Sequence, residues 1–299
     1  MLDLAKKSTE TRNPSTLDID KVDTLEMLRI FNNEDKKVAY AVEKELENIA
    51  TAVDEIFLRL NNGGRLFYCG AGTSGRLGIL DAVECPPTFS VPDTLVQGVI
   101  AGGYGAIFKA VEGAEDDVSL CQKDLEERRF CSDDVLFGIA ASGSTPYVLG
   151  GLKYAKSIGA LTVGLSCNDN SPISSIVDVA ITPVVGAEVI TGSTRLKAGT
   201  AEKMVLNMVS TGVMVKLGKV YGNLMVDLKV SNNKLQERAI RIVQEACGVS
   251  KERAVSSLKE CNGEVKTAII HILTGIEVER ARDSLSDNGG VISRVLRSF

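Results

Sequence analysis

Tryptophan is absent from this chain, histidine occurs once, and aromatic residues make up only 5% of it. The single imidazole, His271, lies in the apolar run Ala268–Leu273 and reads as a packed or half-buried helix residue. That argues against a Ser-His-Asp triad or a histidine-rich metal site. Acid–base chemistry then falls to carboxylates, lysine, tyrosine or cysteine. No stretch reaches the roughly 18 uninterrupted apolar residues that a membrane span needs, and the opening MLDLAKKSTETRNPSTLD has no apolar signal core. Basic clusters are also missing. A net charge of −5 and a pI near 5.2 argue against nucleic acid as a partner, so an anionic ligand must be held by local donors. The seven cysteines (69, 85, 121, 131, 167, 247 and 261) are odd in number and form no CxxC, which fits free thiols in a reducing cytoplasm.

What is present is organised around Arg65–Glu84, RLFYCGAGTSGRLGILDAVE. Leu66–Cys69 is a short apolar run that ends in Gly70-Ala71-Gly72-Thr73-Ser74-Gly75, and an amphipathic segment, Arg76–Val83, follows. That order predicts a buried strand, a glycine-rich turn and a helix N-terminus. Such a turn exposes free N–H groups at the positive end of a helix and favours an anion, most often phosphate. It satisfies G-x-G-x-x-G, so a dinucleotide fold has to be weighed. It is not a P-loop, because Arg76-Leu77 stands where Lys-Ser/Thr is needed.

At 299 residues the chain has room for one large domain and a small one. Asp23 is a candidate cap for a short helix, Thr24–Phe31, with a longer helix from Glu34 to Leu60 closed by Asn61-Asn62-Gly63-Gly64. Pro86-Pro87 is expected to stop the helix after the first turn. Leu95–Ile100 is a second strand candidate, followed by helices over Tyr104–Val111 and Asp116–Arg129. Val135–Ala140 then runs into Ala141-Ser142-Gly143-Ser144-Thr145-Pro146 and a helical Tyr147–Ile158, which repeats the strand, small-residue turn and helix of the opening device. Further strands at Leu161–Leu165 and Val177–Ile181 alternate with helical segments, so the fold class is α/β with a parallel sheet. Two such turns on parallel strands would converge at a switch point. A polar loop, Gly186–Lys203, leads into an apolar helix over about Gly199–Leu217, and four short helices from Leu235 onward follow a polar linker, Ser231-Asn232-Asn233. The expected domains are a helical segment over 1–60, a core over 61–230 and a helical tail over 235–299.

The two turns and the strand–helix run around them resemble a sugar isomerase (SIS) domain. Gly186–Lys203, GAEVITGSTRLKAGTAEK, is similar to the signature shared by glucokinase regulatory protein and the N-acetylmuramic acid 6-phosphate etherases. Thr9-Glu10-Thr11-Arg12-Asn13-Pro14 and Leu25-Glu26-Met27-Leu28 also resemble the etherases. The resemblance covers nearly the whole chain, with one SIS domain where the regulatory protein carries two. It implies a three-layer αβα sandwich and a UBA-like C-terminal helical domain. The implied reaction converts N-acetylmuramic acid 6-phosphate and water to N-acetylglucosamine 6-phosphate and D-lactate, in cytoplasmic bacterial cell-wall sugar recycling, with no cofactor and no metal. In the open-chain sugar a base can remove the C2 proton, an acid can protonate the departing C3 ether oxygen, and water can add back.

The etherases' two catalytic glutamates fall on Glu84 and Glu115. Placed at the last turn of its helix, Glu84 would be held protonated and suit the acid; at the first turn of the next helix, Glu115 would be held ionised and suit the base at C2. The two roles can also be exchanged. Expected phosphate ligands are Gly72, Thr73, Ser74, Ser142, Ser144 and Thr145, while Ser193, Arg195 and Lys197 are candidates for the sugar or the lactyl carboxylate. Ten residues of helix separate Ser74 from Glu84, roughly 15 Å, which is longer than a sugar's span from phosphate to C3. Glu84 is therefore expected to serve a neighbouring subunit in a homodimer with shared active sites. A non-enzymatic sugar-phosphate sensor, an aldose–ketose isomerase and a dinucleotide-binding protein stand as the competing readings. The tail reads as a structural cap or a peptide-binding module.

Overall fold

Five short apolar strands form one parallel sheet in the structure, a computed structural model that describes residues 9, 11–228 and 233–299. They are β1 (Leu66–Gly70), β2 (Val96–Ile100), β3 (Val135–Ile139), β4 (Leu161–Leu165) and β5 (Val179–Ile181), in the spatial order β2-β1-β3-β4-β5. Every residue of β1, β3 and β4 is buried, as expected for strands of a parallel sheet covered on both faces. The strand order reverses at β1. The chain steps out to β2 on one side, then returns to place β3 on the other. In such a sheet the crevice lies outside the carboxyl ends of the two strands flanking the reversal. Gly70 is in register with Ile139, so the turns after β1 and β3 leave the sheet at the same level.

The chain divides into two units, residues 1–83 with 93–210 and residues 84–92 with 211–299. The first holds the sheet and the helices before it, α1 (Thr24–Glu43) and α2 (Leu46–Asn61). Asp23 caps α1 as expected, its carboxylate accepting from the Glu26 N–H at 2.9 Å. The break between the two helices falls at Lys44-Glu45, not at Asn32-Asn33. The helix runs through the two asparagines, and Glu34, Val38, Ala41 and Val42 form its buried face beyond them. Glu45 then turns its carboxylate to the Thr182 N–H and the Asn48 amide.

Three further departures bear on the site. The helix after the glycine turn, α3 (Gly72–Phe89), continues through Pro86 and Pro87 and closes at Ser90, whose left-handed backbone (φ 53°) turns its N–H onto the Pro86 carbonyl. Proline disfavours helix in the residue before it but does not forbid it. Glu84 consequently sits in the helix body, more than a turn from the end. After β2, the expected pair of helices shrinks to α4 (Gly105–Phe108), a 3-10 turn at Ala114–Asp116 and α5 (Leu120–Glu127). Glu115 therefore lies in the 3-10 turn and not in the first turn of an α-helix. The interruption is local chemistry. Gly113 adopts φ 74°, and the Asp117 carboxylate captures the Ser119 N–H and hydroxyl, so the helix restarts only at Leu120. Finally, α6 (Pro146–Ser157) begins with proline at its first position, and α7 (Lys197–Lys216) begins two residues earlier than expected.

The second unit carries a small hairpin, β6 (Val220–Tyr221) and β7 (Leu224–Met225), which the sequence reading did not anticipate. Five helices follow: α8 (Asn233–Cys247), α9 (Lys251–Glu260), α10 (Val265–Thr274), α11 (Val278–Asp287) and an unanticipated α12 (Ile292–Leu296). Ser250 caps α9 through its hydroxyl, and left-handed Gly275 ends α10. Val243, Ala254, Ala268, Ile269, Ile270 and Ala281 form the centre of this core. His271 is half-buried, with Nδ1 2.6 Å from the Ile276 carbonyl oxygen. The expected linker residues Ser231 and Asn232 lie outside the described residues, as does Glu10. Among the described residues, no helix is long and apolar enough to cross a membrane.

Candidate active site

Both glycine-rich turns are forced by close packing at the sheet edge. A Cβ on Gly70 would meet the Gly75 backbone nitrogen at 2.7 Å, and a Cβ on Gly75 would meet the Ile100 side chain at 2.6 Å. The first turn of α3 can approach the end of β1 only because neither residue carries a side chain. Helix geometry leaves the N–H groups at this end without partners inside the helix, pointing out beyond the carboxyl edge of the sheet. Gly72 is exposed with φ 53°, Thr73 is half-buried and Ser74 is buried. The second turn has the same logic. Gly143 (φ 65°) presses against Ser171, where a Cβ would lie 2.3 Å from the Ser171 Cβ. Ser142 and Ser144 have their hydroxyl oxygens 3.1 Å apart, and the Ser144 N–H donates to Ser142 Oγ. Thr145 is the N-cap residue of α6, yet its side chain makes no capping bond. The expected phosphate ligands thus come from two adjacent, level turns at the switch point.

The polar loop before α7 explains itself once it is folded. Glu188 is buried and accepts from the Lys197 and Ala198 N–H groups at 3.0 and 2.9 Å, which caps α7 from nine residues upstream. Burial pushes its carboxyl above the usual range, against those two N–H bonds. Gly199 lies where α7 meets α3, and a Cβ there would touch Thr73. One turn on, Glu202 is 1% exposed and accepts from the Ser74 hydroxyl at 2.8 Å. Burial pushes its carboxyl up to about 8, with the Ser74 bond opposing. Farther along the same pair of helices, Asp81 accepts from Asn207, Ser210 and Tyr68. Burial also raises Asp81, the three hydrogen bonds opposing. Positions 199, 202 and 203, 207 and 210 of α7 thus form one face, as the helical period requires.

Lys197 departs from its expected role. Its ammonium is buried and bonded to the Glu34 carboxylate at 2.8 Å, so it holds α7 to α1 and has no exposed cation to offer a ligand. Burial opposes ionisation of Glu34, but the hydrogen bonds from Lys197, Lys37 and Asn13 outweigh it and hold the carboxyl below its usual range. Ser193 is half-buried and Arg195 exposed in the turns just ahead of α7. Glu84 and Glu115 are both exposed, and they fall in different units, Glu84 with the second and Glu115 with the first. Neither carboxyl sits at an α-helix end, Glu84 lying in the body of α3 and Glu115 in the 3-10 turn, so helix dipoles do not divide the acid and base roles between them.

Sequence reading missed the residues that position this edge. Asn168 donates to the Ala141 carbonyl in the second turn and to the Thr9 hydroxyl. Asn13 donates to the Ala187 carbonyl, and Thr16 to the Val189 carbonyl. Thr9, Asn13 and Thr16 therefore tie the early part of the chain to the loops that follow β3, β4 and β5. The one legible signal there is a polar, turn-rich segment with no amphipathic face of its own.

A doubly wound sheet with paired hydroxyl-rich turns at its reversal defines the SIS class of sugar-phosphate proteins. In agreement, residues 48–156 match the N-terminal SIS domain of glucokinase regulatory protein, and residues 222–261 match the C-terminal lid domain of the same protein. A Bacteroides fragilis protein proposed to be a phosphosugar isomerase of capsule formation shares the fold, with a TM-score of 0.51 at 20% identity over 65% of this chain and 91% of that one. The chain belongs to the N-acetylmuramic acid 6-phosphate etherase family. It is 59% identical over 298 residues to the etherase of Clostridium botulinum strain Okra, covering 100% of this chain and 99% of that protein. The etherase of Cronobacter sakazakii is 55% identical over 296 residues, covering 99% and 100%.

Proposed function

We propose that the protein cleaves the D-lactyl ether of N-acetylmuramic acid 6-phosphate, giving N-acetylglucosamine 6-phosphate and D-lactate. The observation that carries this reading is the 59% identity to an etherase from end to end, which takes in both turns and the Gly186–Lys203 loop. The geometry supports it. The turns after β1 and β3 offer a helix N-terminus and up to five hydroxyls to one phosphate dianion, with no basic cluster required. Anchoring the phosphate holds the open-chain sugar so that C2 and C3 are presented repeatedly in one orientation.

The reaction needs a base for the C2 proton and an acid for the C3 ether oxygen. The C2 proton is acidic because it is α to the C1 aldehyde, and lactate departs with both electrons of the C3–O bond. Water then adds its oxygen to C3 and returns a proton to C2, so nothing is oxidised or reduced. We assign the two proton transfers to Glu84 and Glu115, on the family resemblance and on the solvent exposure of both residues. Ser193 and Arg195 are the groups we assign to the sugar or the lactyl carboxylate.

We further propose a homodimer as the working unit. Leu80 and Val83 on α3 and the paired rings Tyr104 and Phe108 at α4 are half or more exposed, which suits surfaces that a second copy covers. Incubating the protein with N-acetylmuramic acid 6-phosphate and assaying D-lactate tests the whole reading. Release that is lost in both Glu84→Ala and Glu115→Ala is expected. Tight binding without release would point instead to a sugar-phosphate sensor, and a rearranged sugar without lactate to an isomerase.

A further inference from the structure

Serine has one hydroxyl hydrogen to give. At the first turn of α3 that hydrogen is already directed at Glu202, 2.8 Å away on α7. An ionised carboxylate can only accept, so a Ser74 bonded to ionised Glu202 has no hydrogen left for a phosphate oxygen. A neutral carboxyl can donate to Ser74 Oγ instead and free the serine hydrogen. We propose that Glu202 is a positioning residue that must be neutral for substrate binding, donating its proton to Ser74 Oγ so that the Ser74 hydroxyl turns onto the phosphate. This rests on the reading above that the α3 turn holds the phosphate, and it adds a group outside the expected ligand set.

The surroundings fit a carboxyl kept without charge. Glu202 is 1% exposed, and among the described residues its hydrogen-bond partner is Ser74. Burial raises its protonation midpoint to about 8, so the neutral form prevails at neutral pH. The titratable groups on neighbouring elements do not replace that proton. Cys167, after β4, is held as a thiol by burial and then by Glu202 and Glu188. On α7, Lys203 acts on Asp81 and Lys197 is paired with Glu34, while Arg76 on α3 donates to the Ile107 carbonyl. Glu188 is occupied by two backbone N–H groups. A phosphate dianion beside Glu202 would favour the neutral form further.

The consequence is a pH limit on affinity that differs from that of the ligand. With a second pKa of about 6 the phosphate monoester is already about nine-tenths dianion at pH 7, so between pH 7 and pH 9 the loss of the Glu202 proton dominates. The apparent dissociation constant scales with the inverse of the competent fraction. It should rise by about tenfold between pH 7 and pH 9 if the midpoint is about 8.

The test is isothermal titration of N-acetylglucosamine 6-phosphate into the full chain at pH 7, 8 and 9, for wild type, Glu202→Gln and Ser74→Ala. Wild type should weaken about tenfold over this range. Glu202→Gln, whose amide donates to Ser74 at every pH, should stay within about twofold. Ser74→Ala should bind more weakly at pH 7 and lose the steep dependence. A flat wild-type profile, or a Glu202→Gln profile that falls as wild type does, overturns the positioning role while leaving the phosphate site intact. Absence of wild-type binding at pH 7 overturns the phosphate site itself and the inference with it. Should Glu202→Gln fail to fold, the carboxyl carbon shift of labelled glutamate in wild type decides. A neutral Glu202 at pH 7 supports the proposal, and an ionised one refutes it.

Discussion

Two buried acidic residues carry opposite instructions for stability. Glu34 is ionised and paired with buried Lys197 and with the solvent-facing Lys37, so removing Lys197 leaves a buried carboxylate with its exposed partner alone among the cations. Lys197→Met should therefore lower unfolding stability by about 3 kcal/mol, read from urea midpoints, even though methionine fills a similar volume. Glu202 acts in the other sense. Its folded midpoint of about 8 lies above the ordinary 4.5, so between those values the unfolded chain has released a proton that the folded chain keeps. Its contribution is fully favourable below pH 4.5 and is lost as pH rises, at up to roughly 1.4 kcal/mol per pH unit. Glu202→Gln removes that slope. Relative to wild type, the variant should gain on the order of 2 kcal/mol between pH 5.5 and pH 7.5, measured as the change in the stability difference. None of these roles is legible from residue type alone. Lys197 looked like an anion ligand because a lysine in a polar loop is normally exposed, and only the packing of α1 against the start of α7 buries it.

At the scale of elements, the strands announced themselves and the helix ends did not. Leu66–Cys69, Val135–Ala140 and Leu161–Leu165 are unbroken apolar runs bounded by small or polar residues, and each became a fully buried strand to within a residue. Helix limits are set by contacts that sequence does not display. Asp117 and Ser119 cut the helix before α5, and Ser90 ends α3 after two prolines that were expected to end it sooner. The glycine turn, in contrast, was legible because its chemistry is local. Gly75→Ala would place a methyl group 2.6 Å from the Ile100 side chain and 2.7 Å from the Gly70 carbonyl oxygen. The backbone at the end of β1 has to move, with a stability loss of about 1–3 kcal/mol, and affinity for N-acetylglucosamine 6-phosphate should fall with it. A Gly75→Ala protein that binds as wild type does would show that the α3 turn is not part of the site.

On the scale of the whole molecule, the long mixed loop before α7 carried the resemblance to the etherases, and the folded chain gives it a physical basis. Glu188 caps, Lys197 anchors, Gly199 allows contact with Thr73, and Glu202 meets Ser74. If Glu84 of one copy serves the site of another, mixing Glu84→Ala with Glu115→Ala subunits should restore about a quarter to a half of wild-type activity, because some sites regain both glutamates. Mixed dimers, verified by mass, that remain inactive would confine each site to one chain. The central claim is that lactate leaves by cleavage of the sugar's C3–O bond, and its most direct measurement is the reaction run in 18O-labelled water. The account predicts the label on the C3 hydroxyl of N-acetylglucosamine 6-phosphate and none in the lactate. Label in the lactate would mean that the bond on the lactyl side is broken, and would contradict it.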